Sequence, residues 1–266
     1  MVLNTFSFTS QASDQGVRER HFVLEHGDVA VPGVLWTPDL AAVSVADPRP
    51  LVLIGHGGGQ SKSAPGVVAR AHRLVTERGF AAVAIDAPGH GDRTPTDEHA
   101  QLIAALRSAA AEGRPVGPHV TDMNSAMARW TAPEWRAMID ALQEVLEDGV
   151  GIATGPIGYW GVSMGAAIGI PLAVMEPRIT ACVFGLVGTA IASVEAAARV
   201  TVPVEFLMQW DDELVPRADG LALFDALGSR QKTLHANPGG HGEMPLYEID
   251  SAIRFFGRQL SVVGKD

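Results

Sequence analysis

A serine held between two glycines, in GVSMG at residues 161–165, can act as a nucleophile if an imidazole stands ready to take its proton. The imidazole in turn needs a carboxylate to hold its tautomer and stabilise its cation. Three residues of the right types each follow a short apolar run: Ser163 after IGYWGV, Asp212 after VEFLMQW, and His241 in GGHGE after KTLHANPG. In a parallel sheet the carboxyl ends of the strands open on one side, so residues just past three strand ends converge there. Asp211 stands beside Asp212, and spacing alone admits either as the orienting acid. His235, inside the last apolar run, reads as a residue that packs or pairs on a sheet face. His241, in a glycine-rich loop, has the freedom to turn inward.

Such a constellation needs donors for a developing oxyanion. GHGGG at 55–59 ends another apolar run, and its glycines let the backbone approach a reacting group closely. The expected donors are the backbone N–H of Met164, just after the serine, and that of Gly58, with Gly59 as a further donor. A dinucleotide-binding reading of the same stretch fails. The G-x-G-x-x-G pattern has Gln60 in its last position, and Asp86 lies further on than the roughly 20 residues expected of a ribose-binding acid. No cofactor is expected. His90, His99 and His119 lack metal-ligand spacing and there is one cysteine, so no metal site is expected either.

Short apolar runs alternating with helix-like segments define the frame, the pattern of a mostly parallel sheet with helices on both faces. HFVLEHG and VAVPGVLW, joined at Gly27-Asp28, predict an N-terminal antiparallel hairpin. The runs PLVLIGHG, FAAVAIDAPG, IGYWGV, ITACVFGLVG, VPVEFLMQW and KTLHANPG predict six further strands. Ser63 with Pro65 predicts the start of a helix that ends at Gly79. Thr131 and Glu134 form a T-x-x-E capping box with Pro133 in the first turn. That predicts a helix burying Trp135, Met138, Ile139, Leu142, Val145 and Leu146 and stopping at Gly149. GLALFDALG and EIDSAIRFFGRQL predict two more helices. Residues 92–130 form an insertion, with a helix over EHAQLIAALRSAAAEG and a loop over RPVGPHVTDMNSAMARW. Its length makes it a candidate lid or rim, with Trp130, Met127 and His119 as candidate substrate contacts.

Composition bounds the rest. The 266 residues fit one α/β domain, with 47% hydrophobic and 19% charged residues. A net charge of −10 provides no basic footprint for nucleic acid or an anionic membrane surface. The start of the chain lacks the basic and apolar regions of a signal peptide, and no apolar run is long enough to span a membrane, so a cytoplasmic location is expected. Cys182, within ITACVFGLVG, reads as a buried core thiol.

With these stretches in hand, the chain resembles the α/β-hydrolase superfamily over nearly its whole length. The likeness is carried by GHGGG at 55–59, DAPGHGDR at 86–93, GVSMG at 161–165, DDELVP at 211–216 and GGHGE at 239–243. It is most similar to small bacterial esterases related to dienelactone hydrolases and to the catalytic domain of prolyl oligopeptidases. The resemblance implies Asp212 rather than Asp211 as the acid, because Asp212 opens a D-x-x-V-P run with Val215 and Pro216. It also implies hydrolysis of a small-molecule carboxylic ester through an acyl-enzyme on Ser163, with His241 as base and then acid. Peptide or acylaminoacyl cleavage, thioester cleavage, and a non-enzymatic ligand-binding scaffold remain the alternatives. Two departures stand out. Dienelactone hydrolases proper use cysteine where this chain has Ser163, and Gly188–Val202 is too short for a cap domain of the usual kind.

Overall fold

The computed structural model describes residues 4–39, 49–145 and 155–261. Within them the chain runs β1 (Asn4–Asp14), β2 (Val17–His26), β3 (Val29–Pro38), β4 (Leu51–Gly55), α1 (Pro65–Arg78), β5 (Ala81–Ile85), α2 (Asp97–Ala111) and α3 (Gly117–Val145). It continues through β6 (Ile157–Val162), α4 (Met164–Met175), β7 (Ile179–Gly185), α5 (Val194–Arg199), β8 (Val204–Gln209), α6 (Arg217–Ala226), β9 (Lys232–Asn237) and α7 (Leu246–Leu260). The strands form one sheet in the order β1-β2-β3-β5-β4-β6-β7-β8-β9. β1, β2 and β3 pair antiparallel and β3 joins β5 antiparallel, whereas every pairing from β5 through β9 is parallel.

The parallel strands are buried on both faces because helices cover both. Leu51 and Leu53 of β4 point into the core half that holds Met138 and Ile139 of α3 and Ala166 and Ile170 of α4. Val52 and Ile54 point the other way, toward Ala71 and Leu74 of α1 and Ile253 and Phe256 of α7. This two-sided burial produces the nearly unbroken apolar runs seen in the sequence. Cys182 is buried in β7, as expected. No helix among the described residues is long and apolar enough to cross a membrane.

The hairpin forms across Gly27-Asp28 and pairs Gly33 to Trp36 with β5. A third antiparallel strand, β1, was not expected. It lies at the sheet edge almost wholly exposed, so it carries no apolar alternation to read. The capping readings need correction. Helix α1 is preceded by Ala64 rather than capped by Ser63, with Pro65 in its first turn as expected and Gly79 left-handed at its end. Thr131 does not open a helix. α3 is continuous from Gly117, with Pro133 inside it, and it absorbs most of the predicted loop before Trp130. The Thr131 hydroxyl donates back to the Met127 carbonyl at 2.6 Å. Glu134 takes both guanidinium nitrogens of Arg93 at 2.7 and 2.8 Å in a buried pair. Both partners of the expected capping box are thus engaged elsewhere, and tertiary contacts override the local signal. Trp135, Met138, Ile139 and Leu142 are buried as expected, while Leu146 and Gly149 lie outside the described residues.

The strand order decides where a site can form. From β4 the chain crosses to β5 on one side, then returns over α2 and α3 to β6 on the other side of β4. Between β4 and β6 the connections therefore diverge and leave a crevice at the carboxyl ends. Gly55 closes β4 there, and Val162 leads from β6 into Ser163.

Candidate active site

Ser163 is the single residue between β6 and α4, at φ 55° and ψ −124°. A side chain seldom adopts that backbone, and it turns the hydroxyl outward at the head of the helix. The turn is tight enough to exclude side chains from its flanks. A Cβ on Gly161 would lie 2.4 Å from the Gly165 carbonyl oxygen, and one on Gly165 would lie 2.6 Å from that of Gly55. The Ser163 N–H donates to the Gly185 carbonyl at 2.8 Å, tying the turn to β7. The buried Tyr159 hydroxyl donates to the Gly165 carbonyl at 2.7 Å.

The loops after β8 and β9 bring two partners to this serine. His241 Nε2 lies 3.1 Å from Ser163 Oγ, and its Nδ1 lies 2.8 Å from Asp212 Oδ2. The other Asp212 oxygen accepts the N–H groups of Leu214 and Val215 at 2.8 and 2.9 Å, so the buried carboxylate is fixed in place. Asp211 points away and is largely exposed, within 3.7 Å of Arg217. Glu213 accepts the His241 N–H at 3.0 Å, and that bond holds its carboxyl below the ordinary range. With Asp212 at Nδ1, the neutral ring carries its proton there and turns a lone pair toward Ser163.

Backbone donors face the same space. Gly58, Gly59 and Met164 line one cavity with Ser163 and His241. The N–H groups of Gly58, Gly59 and Met164 have no partner among the described residues. Met164 opens α4, whose N-terminal dipole favours negative charge. The GHGGG loop is braced by His56, which was not singled out from the sequence. Its ring accepts the Ala87 N–H at Nε2 (3.1 Å) and donates from Nδ1 to the Gly57 carbonyl (2.9 Å). Burial pushes the His56 pKa down to about 4, so the ring stays neutral.

The cavity measures about 430 Å³, a volume suited to a small molecule. Its walls include Ile103, Leu106, Val120, Met123, Met164 and Ile191. Four of these six belong to α2 and α3, so the insertion at 92–130 forms a side of the cavity. The three contacts expected from that insertion are not the ones that line it. Met127 is fully buried in the core, and neither His119 nor Trp130 is among the lining residues. Trp130 instead packs its edge against His99, at 6.3 Å between ring centres. The side of α3 that faces the cavity carries Val120, Met123 and Asn124. Reading 117–130 as a loop hid that periodicity.

Asp86, considered above as a ribose ligand, is turned inward. It accepts from the Lys62 ammonium and the Lys62 and Asp92 N–H groups at 2.7–3.0 Å. His235 pairs on the sheet face, as expected, with Glu248 at 2.7 Å. With Glu205 they form a group whose ligand-type atoms lie within 4.8 Å of one another, which linear spacing could not reveal. Glu248 meets the Nδ1 edge of the ring and Glu205 faces Nε2 at 3.9 Å, so the imidazole itself occupies the space between the carboxylates. Asn237 and Ser251 complete this hydrogen-bonded tie between α7 and strands β8 and β9.

Comparison with known proteins places this geometry in a family. No protein-family model matches the chain, and no curated protein matches it. Among solved structures, a cold-adapted esterase from an Arctic intertidal metagenomic library is 34% identical, with a TM-score of 0.75 over 96% of this chain and 100% of the other. The S-formylglutathione hydrolase of Agrobacterium tumefaciens shares 15% identity at a TM-score of 0.64, over 96% of this chain and 99% of that one. The dienelactone hydrolase of Anabaena variabilis shares 18% at 0.63, over 93% and 100%. The last two show likeness of fold alone. The chain belongs to the α/β-hydrolase superfamily and is a hydrolase of that type.

Proposed function

We propose that the protein is a serine hydrolase that cleaves a small-molecule carboxylic ester through an acyl-enzyme on Ser163. The observation that carries this reading is the chain of hydrogen bonds from Ser163 through His241 to Asp212, at 3.1 and 2.8 Å, opening on the cavity at the β4–β6 crevice. The 34% identical relative, itself an esterase, supports the choice of an ester.

In this mechanism Ser163 Oγ attacks the ester carbonyl carbon while His241 Nε2 takes the hydroxyl proton. The carbonyl oxygen becomes an oxyanion held by the N–H groups of Met164 and Gly58, with Gly59 as a further donor. Each such donor is worth about 2.7–4 kcal/mol in the transition state. The intermediate collapses, the carbon–oxygen bond to the alcohol breaks, and the His241 proton passes to the departing oxygen. Water then attacks the acyl-enzyme as His241 removes its proton. The second collapse returns that proton to Ser163 Oγ and releases the acid. Asp212 stays ionised throughout and stabilises the imidazolium.

The test is labelling with a fluorophosphonate, mapped by peptide mass, together with ester turnover in the wild type and Ser163→Ala. Label confined to Ser163, and a loss of turnover greater than about a thousandfold in the variant, are expected. Turnover persisting above that level would overturn the assignment.

A further inference from the structure

The Asn124 side chain in the cavity wall has no hydrogen-bonding partner among the described residues. Asn124 is 7% exposed, lines the cavity with Ser163, and its amide makes no hydrogen bond among the described residues. Its polar atoms are open to the cavity, so a ligand that covers them without bonding forfeits their hydration, about 1–3 kcal/mol. Its neighbours on the α3 wall, Val120 and Met123, are apolar, so nothing local compensates. A polar residue placed so in an otherwise apolar pocket fixes the orientation of a ligand.

Two further groups on the same walls are uncharged hydrogen-bonding groups or can act as such. His99 lines the cavity while its Nδ1 is sealed from solvent without a partner. Burial, with a contribution from His90, lowers its pKa and favours the neutral ring. With Nδ1 sealed, Nε2 is the ring nitrogen left to meet a ligand. His90 also lines the cavity, with Nδ1 on the Pro88 carbonyl at 2.9 Å, so its Nε2 is free to accept. Among the described residues no lysine or arginine lines the cavity, and Glu213 stands at its wall. A carboxylate or phosphate on the substrate would enter with no opposite charge and beside a like one, which burial penalises heavily.

We propose that the cavity selects an ester whose apolar body carries one uncharged hydrogen-bonding group, of the hydroxyl kind, read by the amide of Asn124. A hydroxyl both donates and accepts, as the amide does, so one group satisfies both sides. An ester lacking it leaves Asn124 unpaired in the closed complex and is turned over less efficiently for that reason. The inference rests on the ester hydrolysis proposed above and specifies the substrate class of that site.

The experiment compares p-nitrophenyl esters that differ by a single hydroxyl, walked along the acyl chain, with a second set in which the hydroxyl is walked along the alcohol. The quantity read is the ratio of kcat/KM for hydroxylated to plain ester. In the wild type one position is expected to show a ratio of roughly ten or more. In Asn124→Leu that ratio falls toward one, while the Tm stays close to that of the wild type, because the amide makes no hydrogen bond within the protein. Asn124→Ala serves as the second variant in case leucine crowds the wall. A wild type with no preferred position, or a preference that survives both substitutions, overturns the inference. Fluorophosphonate labelling separates the two levels. A Ser163 that labels and turns over esters without discrimination defeats only the selectivity, whereas a Ser163 that neither labels nor turns over defeats the hydrolysis itself.

Discussion

Ser163 is held in a conformation that favours glycine, and nothing in its own chemistry requires that backbone except the need to present its hydroxyl. Strain of this kind costs on the order of 1–3 kcal/mol and persists where the surrounding structure over-determines it. Here the surroundings are the Gly185 carbonyl, the Tyr159 hydroxyl and the close approach of Gly165 to Gly55. Replacing the serine separates the two demands. Ser163→Ala removes the hydroxyl and keeps the Cβ, whereas Ser163→Gly removes both. Ser163→Gly is expected to exceed Ser163→Ala by about 1 kcal/mol in stability, a rise of roughly 2–4 °C in Tm. Thermal melts of the two inactive variants settle it, and a glycine variant no more stable than the alanine variant would show the turn to be unstrained.

At the scale of elements, the site depends on loops that must hold still between strands. His56 joins the end of β4 to the end of β5 through its two ring nitrogens, and so steadies the loop that carries Gly58 and Gly59. Burial lowers its folded-state pKa from 6.5 to about 4, so as pH falls the unfolded chain takes up the proton first. Its contribution to stability is complete above about pH 6.5 and is lost as pH falls through 4, by about 3 kcal/mol in all. Urea unfolding at pH 7 and pH 4.5 should show the wild type losing more stability than His56→Gln by about 2 kcal/mol, most of that total. Parallel losses in the two proteins would mean that the ring takes up its proton in the folded state. The same scale explains the misplaced helix start. Thr131, Pro133 and Glu134 carry a genuine local signal, but the pairing of Glu134 with Arg93 binds α3 to the loop after β5. That contact spans 41 residues and has no trace in the local sequence.

For the whole molecule, the sheet and its two helical layers form the rigid body, and α2, beside the cavity, is only sparsely buried. His99 and Ala109 are the buried residues of α2, whereas β4 and β5 are buried throughout. Local opening follows such differences in burial. Hydrogen exchange followed by mass spectrometry should show α2 amides exchanging on the order of a hundredfold faster than those of β4, and slowing when an alkyl phosphonate occupies Ser163. Equal protection of α2 and β4 would make α2 a fixed wall. Much of this architecture was legible from residues alone. Burial on both faces writes a parallel strand as an unbroken apolar run, and a sharp turn writes itself as glycine. From these came the sheet, the crevice side, and Ser163 and His241 with their backbone donors as candidates there, whereas the choice of Asp212 over Asp211 came from the D-x-x-V-P likeness to the family. What the chain could not show locally was which side chains of the insertion face the cavity. Trp130, Met127 and His119 were as plausible in sequence as Met123 and Asn124, because the choice turns on the rotation of a continuous helix packed against the core. That rotation is set by contacts such as Arg93 with Glu134, between residues far apart along the chain, and only the folded structure brings them together.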